Sequence, residues 1–218
     1  METHFGLPPR PLPPGWLTIG SFDGVHRGHV KVIRRLVALA RRAGTPAVVM
    51  TFDPHPRCVL APDTCPLSLT TLDEQADAIE ALGVDHLVVM PFTKKLSQLT
   101  ATQFMEQLTS AVPLAGLVIG YDFALGHQRR GDRQFLENYG DHHGFGVEVI
   151  TPHSREGRII SSSAIRTLLL EGQVARAARL LGRDYSITSF IEHGTGTGSR
   201  IGFPTANFAI TPNKLVAA

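Results

Sequence analysis

Cysteine is scarce in this chain: Cys58 and Cys65 are the only two in 218 residues. So few exclude the disulfide framework of a small secreted domain, and the expectation is a pair of reduced thiols in a cytoplasmic protein. A zinc site made of His55, Cys58 and Cys65 matches no strong ligand spacing. Long apolar runs are also missing. No stretch reaches the roughly 18 residues that would suggest a membrane span. The opening METHFGLPPRPLPPGW is proline-rich and lacks the apolar centre of a signal peptide. Low-complexity tracts and internal repeats are absent. Neither sign of charge dominates: the formal net charge of +2 gives no support to a bulk nucleic-acid binder and leaves a small anionic ligand open. What remains, 43% apolar and 18% charged residues, is an ordinary globular composition. The length suits one sizeable domain, or one domain and part of another.

Short apolar runs punctuate the chain. Residues 16–22 (WLTIGSF), 47–52 (AVVMTF), 86–92 (HLVVMPF), 116–123 (GLVIGYDF) and 147–150 (VEVI) read as strands. Several are almost continuously apolar, as expected of strands covered on both faces. Helical patterns lie between them. Residues 30–42 carry Ile33, Leu36, Val37 and Ala40 on one stripe; residues 72–82 follow, stopped by Gly83. Residues 102–110 turn Phe104, Met105 and Leu108 inward, and 133–142 form a fourth helix. The alternation predicts a doubly wound parallel α/β sheet of Rossmann type, which binds ligands at the carboxyl ends of its strands. Two further helices are expected around Ile165, Leu168 and Leu169 and over residues 174–181. From Tyr185 the texture becomes alternating and glycine-rich, which predicts a domain boundary near Asp184.

Four segments carry residue types suited to phosphate chemistry. In GSFDGVHRGH, His26 and His29 flank Gly28 where a helix begins. A helix start offers unpaired N–H groups and partial positive charge. Gly24 and Gly28 permit close backbone approach, and a protonated imidazole would add charge. The competing reading is a capped turn with surface histidines. In SSSAIR, residues 161–166, a serine caps a second helix and Arg166 lies one turn further in, suited to a phosphate or simply solvated. In GYDFALGHQRRGD, Asp122 follows the fourth strand, Phe123 offers a flat ring face, and Arg129 and Arg130 form a basic pair. In TFDPHPRC, Asp53 and two prolines fix a turn beside His55, which either contacts phosphate or has no role.

In series, these segments resemble the prokaryotic bifunctional riboflavin kinase/FMN adenylyltransferases, also called FAD synthetases, over residues 16–210. The HRGH at 26–29 is similar to the HxGH signature of the wider nucleotidyltransferase superfamily, and SSSAIR to its second signature. The GFPTAN at 202–207 is similar to the hallmark of the riboflavin kinase module. The resemblance implies an adenylyltransferase domain over residues 1–184. Residues 185–218 would be the incomplete β-barrel start of a kinase module, too short to fold alone and without kinase activity.

It further implies transfer of AMP from ATP to FMN, giving FAD and pyrophosphate, with magnesium bridging phosphate oxygens. By that likeness His26, His29 and Arg166 are catalytic. Gly20, Phe22, Asp23, Gly24, Gly28, Ser162 and Ser163 join them around ATP, and Phe52, His55, Asp122 and Phe123 face FMN. Thr205 and Asn207 would hold magnesium in the kinase module. Phe92, ending a strand on the same side as Phe52, is a further stacking candidate. Expected partners are the small molecules ATP and FMN, with neither nucleic acid nor membrane. Two other readings stay open. One is another HxGH nucleotidyltransferase, acting on phosphopantetheine, nicotinamide mononucleotide or glycerol phosphate. The other is a flavin or nucleotide binder without catalysis.

Overall fold

The structure is a computed structural model and describes residues 1–152, 154–155, 158–192, 200, 202–203 and 205–218. The chain runs β1 (Glu2–Phe5), β2 (Gly15–Ile19), α1 (Arg27–Ala43), β3 (Ala47–Asp53), α2 (Pro56–Leu60), α3 (Leu72–Glu80) and β4 (His86–Pro91). It continues through α4 (Lys94–Ser97), α5 (Ala101–Ala111), β5 (Leu114–Gly120), α6 (Arg133–His143) and β6 (Gly146–Ile150). A short antiparallel pair, β7 (Ser154–Arg155) and β8 (Arg158–Ile159), precedes α7 (Ser162–Leu170) and α8 (Val174–Leu181). A last ribbon pairs β9 (Ile191–Glu192) with β10 (Asn207–Phe208).

Six strands form one parallel sheet in the order β1-β4-β3-β2-β5-β6. The chain winds from β2 outward to β4, then crosses back to β5 beside β2. The carboxyl ends of β2 and β5 therefore flank a topological switch point, where such sheets open a ligand crevice. Alternate residues of each strand face opposite layers. Leu17, Ile19, Val48, Met50, Leu117 and Ile119 pack against Phe104, Met105 and Leu108 of α5 and Leu136 of α6. Val49, Leu87, Val89 and Val118 pack against Ile33, Leu36 and Ala40 of α1 and Ile79 of α3. This is the doubly wound α/β class that the alternation predicts.

Several expectations shift in detail. The first strand ends at Ile19 rather than residue 22, because Phe22 has φ of 44° and cannot continue an extended strand. β1 carries no sequence signature: four residues before a proline-rich stretch give no periodic signal, and only pairing with β4 makes them a strand. The expectation of reduced thiols is corrected: Cys58 and Cys65 form a disulfide, with α2 and the turn after it bringing their Cα atoms to 4.3 Å.

The expected barrel start is not shown. Among the described residues after Asp184 there is only the two-stranded ribbon, with Phe190, Ile191, Phe203 and Phe208 exposed. Residues 193–199, within the glycine-rich stretch read as kinase-like, lie outside the described residues. The end of the chain docks onto the α/β unit. Leu215 is buried with Leu69, Ile165 and Leu181. The Lys214 ammonium donates to the Leu69 carbonyl at 2.6 Å and to Glu74 Oε2 at 2.5 Å. Ser68 N–H donates to the Asn213 carbonyl, and the Tyr185 hydroxyl to that of Leu215.

Candidate active site

The loop between β2 and α1 is built under strain and held from three sides. Phe22 and Val25 adopt positive φ (44° and 37°), as does Gly24 at 82°. Such conformations persist in bulky residues only where the surroundings over-determine them. Here Phe22 and Val25 are buried. Gln75 Nε2 and the Thr51 hydroxyl donate to the Ser21 carbonyl. The Arg183 guanidinium donates to the Gly24 and Val25 carbonyls at 2.9 and 3.1 Å. A side chain on Gly24 would also meet Leu69 Cδ1 at 2.7 Å.

The histidine pair follows from this loop. His26 is the N-cap of α1, and its Nδ1 accepts from the His29 N–H at 3.3 Å. An accepting Nδ1 carries no proton, so neutral His26 holds its proton on Nε2. The two rings stack with centroids 3.6 Å apart, and Phe22 meets His29 edge-on at 5.2 Å. Gly28 makes the stack possible: a Cβ there would sit 3.1 Å from both Cε1 and Nδ1 of His26. Gly28→Ala is therefore expected to displace the His26 ring and lower turnover with little loss of fold stability. Parallel kinetics and thermal melts check this; unchanged turnover would contradict it.

Burial lowers the pKa of His26 to about 4, and burial, then the neighbouring His26, keeps His29 well below its usual value. Both rings are therefore neutral near pH 7 without a ligand, not the protonated imidazoles that the sequence suggests. The Nδ1 of His29 is buried and has no hydrogen-bond partner among the described residues. Such a buried atom is rare in folded proteins and is satisfied by a water, an ion or a bound molecule, or serves a catalytic role.

The shift has a consequence for stability. Between pH 6.5 and about 4 the unfolded chain binds a proton at His26 that the folded protein does not. Stability is thus full above pH 6.5 and declines as pH falls toward 4, by about 3 kcal/mol from this residue. Urea titrations at pH 7 and pH 4.5 check this, with the slope flattened in His26→Asn; equal pH dependence in that variant would contradict it.

The second helix start meets the first. Ser161 caps α7 through its hydroxyl, and Ser162 Oγ donates to the Asp23 carbonyl at 2.9 Å, which ties α7 to the β2–α1 loop. Ser163 is exposed in the first turn. Arg166 donates from Nε to the Leu67 carbonyl (2.7 Å) and from one Nη to Asp23 Oδ2 (2.5 Å), and the other Nη has no hydrogen-bond partner among the described residues. Asp23 Oδ1 accepts from the backbone of Leu69 and Thr70. Asp23 is thus a buried hub, both of its carboxylate oxygens accepting hydrogen bonds from neighbouring segments.

One crevice of about 340 Å³ is lined by His26, Gly28, His29, His55, Asp122, Ser162, Ser163 and Arg166. His55 caps α2, its Nδ1 accepting from the Arg57 N–H, and burial followed by the charge of Arg166 lowers its pKa. Asp122, Gly120, Ser21 and His29 also line an adjoining cavity of about 350 Å³, where Gly20, Phe22, Phe52, Phe123 and Arg129 enter. Phe52, Phe123 and Arg129 in turn line a third cavity of about 560 Å³, mostly apolar, with Phe92, Phe104, Leu96 and Lys94. Phe52 and Phe92 meet edge to face at 5.5 Å. A polar, imidazole- and guanidinium-lined end thus leads past Asp122 into an aromatic pocket.

Two cations escaped the sequence reading. Arg57 lines the polar crevice, and its signal was its place in the same turn as His55. Arg183 supports the loop from 158 residues away in sequence, which no local pattern could reveal. Thr205 and Asn207 line none of these three cavities and are exposed, Asn207 on the ribbon opposite Glu192.

Comparison with known proteins agrees with the fold. A bifunctional riboflavin kinase/FMN adenylyltransferase of Escherichia coli K12 is 37% identical over 88% of this chain and 61% of its own length. That of Bacillus subtilis is 36% identical over 92% and 63%. The chain thus spans less than two thirds of these relatives. A solved structure described as a macrolide-efflux protein of Streptococcus pneumoniae covers the whole chain with a TM-score of 0.88 at 29% identity, over 72% of its own length. A pantoate–beta-alanine ligase of Francisella tularensis shares the fold alone, at 11% identity and a TM-score of 0.50, over 84% of this chain and 83% of that one. The riboflavin kinase family model matches residues 181–218. The FAD synthetase family model matches residues 11–164, a span that holds both histidines, the Asp122 loop and the start of α7, and the chain belongs to that family.

Proposed function

We propose that this chain transfers the AMP moiety of ATP to FMN, forming FAD and releasing pyrophosphate. The observation that carries the reading is the single crevice. Two helix starts furnished with His26, His29, Ser163 and Arg166 share it, and it continues into an apolar pocket walled by Phe52, Phe92 and Phe123. The family membership and the relatives' names support the same substrates. The riboflavin kinase match covers only residues 181–218, so the proposal is confined to adenylyl transfer by residues 1–184.

In this reading an FMN phosphate oxygen attacks the α-phosphorus of ATP. A new P–O bond forms as the bond to the β-phosphate breaks, and pyrophosphate leaves with the electron pair. The FMN phosphate is already anionic, so no side chain has to remove a proton. The protein's contribution is positioning and charge stabilisation. His26 and His29 donate N–H groups to the phosphates as charge moves onto the leaving group. The free Nη of Arg166 and the α7 N-terminus with Ser163 hold the β- and γ-phosphates. His55 and Arg57 close the polar end. Phe52, Phe92 and Phe123 pack the flavin ring in the apolar pocket.

The residues fit magnesium. The Asp122 carboxylate has no hydrogen-bond partner among the described residues and lies between the polar and aromatic cavities, matching a cation held by one carboxylate and substrate phosphates. Bound there, the ion would offset phosphate charge.

Incubation of the purified chain with FMN, ATP and magnesium, followed by chromatography, is expected to show FAD and pyrophosphate in equal amounts. Riboflavin with ATP is expected to give no FMN. Binding of both substrates without pyrophosphate release would favour the non-catalytic reading; turnover only with another phosphorylated acceptor would favour a different nucleotidyltransferase.

A further inference from the structure

A second cluster of ligating side chains lies at the edge of the sheet, apart from the candidate active site. β1 pairs in parallel with β4 so that Glu2 stands opposite His86, and His4 follows on the same face. His4 Nε2 is 3.3 Å from His86 Nδ1. The Glu2 carboxylate completes the triangle, with Oε1 3.8 Å from His4 Nε2 and Oε2 3.5 Å from His86 Nδ1. The two imidazoles are largely buried, at 13% and 17% side-chain exposure, while the carboxylate is 66% exposed.

We propose that Glu2, His4 and His86 form a binding site for a first-row divalent transition-metal ion, zinc being the best match. Zinc bonds to nitrogen and carboxylate oxygen of about 2.0–2.2 Å, at tetrahedral angles, place neighbouring ligand atoms about 3.3–3.5 Å apart. The two ring nitrogens stand at that distance, and the carboxylate lies at or just beyond it, with one oxygen 3.8 Å from His4 Nε2 and the other 3.5 Å from His86 Nδ1, so the three side chains already converge on one ion-sized space. Two imidazoles and one carboxylate suit zinc, cobalt, nickel or copper and not magnesium, which takes oxygen donors. A fourth position is left for water. Glu2 and His86 sit at the amino ends of their strands, whereas the crevice lies at the carboxyl ends. The site therefore acts as a clip that fastens the edge strand β1 onto β4, and binding there raises the stability of the fold.

The test uses tag-free full chain, stripped with a chelator and titrated with zinc chloride by calorimetry, with cobalt(II) absorption as a report on tetrahedral geometry. One equivalent of zinc should bind in the micromolar range or tighter and raise Tm, leaving FAD formation unaffected. Each of His4→Gln and His86→Gln should weaken binding by more than the about 10–100-fold typical of losing an outer partner, and Glu2→Gln should weaken it as well. Circular dichroism verifies that each variant folds. Zinc that binds His4→Gln/His86→Gln as tightly as wild type, through the crevice histidines for instance, would overturn the proposal. So would wild-type protein that takes up no zinc at micromolar concentration.

Discussion

Replacing His29 by alanine is expected to lower the rate of FAD formation by about 10²–10³-fold while leaving the affinity for FMN close to wild type. The ring is held before substrate arrives. It stacks on His26 at 3.6 Å, meets Phe22 edge-on, and its Nδ1 has no hydrogen-bond partner among the described residues. A group fixed in this way needs no reorganisation as charge builds on the departing pyrophosphate, which is the condition under which one donor has its largest effect. The aromatic pocket that would take the flavin ring is lined by Phe52, Phe92 and Phe123 and not by His29, so the loss should fall on kcat. Steady-state kinetics with both substrates varied separate the two parameters. A variant with wild-type turnover, or one whose whole defect is a raised KM for FMN, would remove His29 from the chemistry.

Asp23→Ala is expected to destabilise the fold by about 3–5 kcal/mol, the range for breaking a buried ion pair by removing one partner. The side chains of Asp23 and Arg166 are 9% and 14% exposed, and the carboxylate also serves the Leu69 and Thr70 amides. Its removal leaves a guanidinium and two N–H groups short of an acceptor at once. Arg166 would also swing from the position that Asp23 and the Leu67 carbonyl fix, so the KM for ATP should rise. Asp23→Asn, which keeps an oxygen for the amides and removes only the charge, should fall between. Urea unfolding and ATP kinetics on the two variants check this; wild-type midpoints in both would contradict it.

The sequence revealed most where information is local. Five strands showed as apolar runs, and two helix starts showed as His-x-Gly-His and a serine cluster, because capping and phosphate binding use residues only a few positions apart. Its failures are non-local. Phe22 belongs to a turn whose positive φ is imposed by burial and by contacts from Gln75 and Arg183. The partners that hold Asp23, 46 and 143 residues away, leave no trace in its local sequence. β1 exists through β4, and a spacing of seven residues between Cys58 and Cys65 does not say whether the two side chains face each other. The ionisation of His26 and His29 escaped for the same reason, since burial is a property of the assembled crevice.

The central claim is that the two helix starts serve one triphosphate. A crystal structure of the chain with FMN and a non-hydrolysable ATP analogue tests it most directly. Ring nitrogens of His26 and His29 and the free Nη of Arg166 should lie within hydrogen-bonding distance of phosphate oxygens of a single nucleotide, with the flavin between Phe52 and Phe123. A nucleotide bound with its phosphates outside the crevice, touching only one of the two helix starts, would contradict the account.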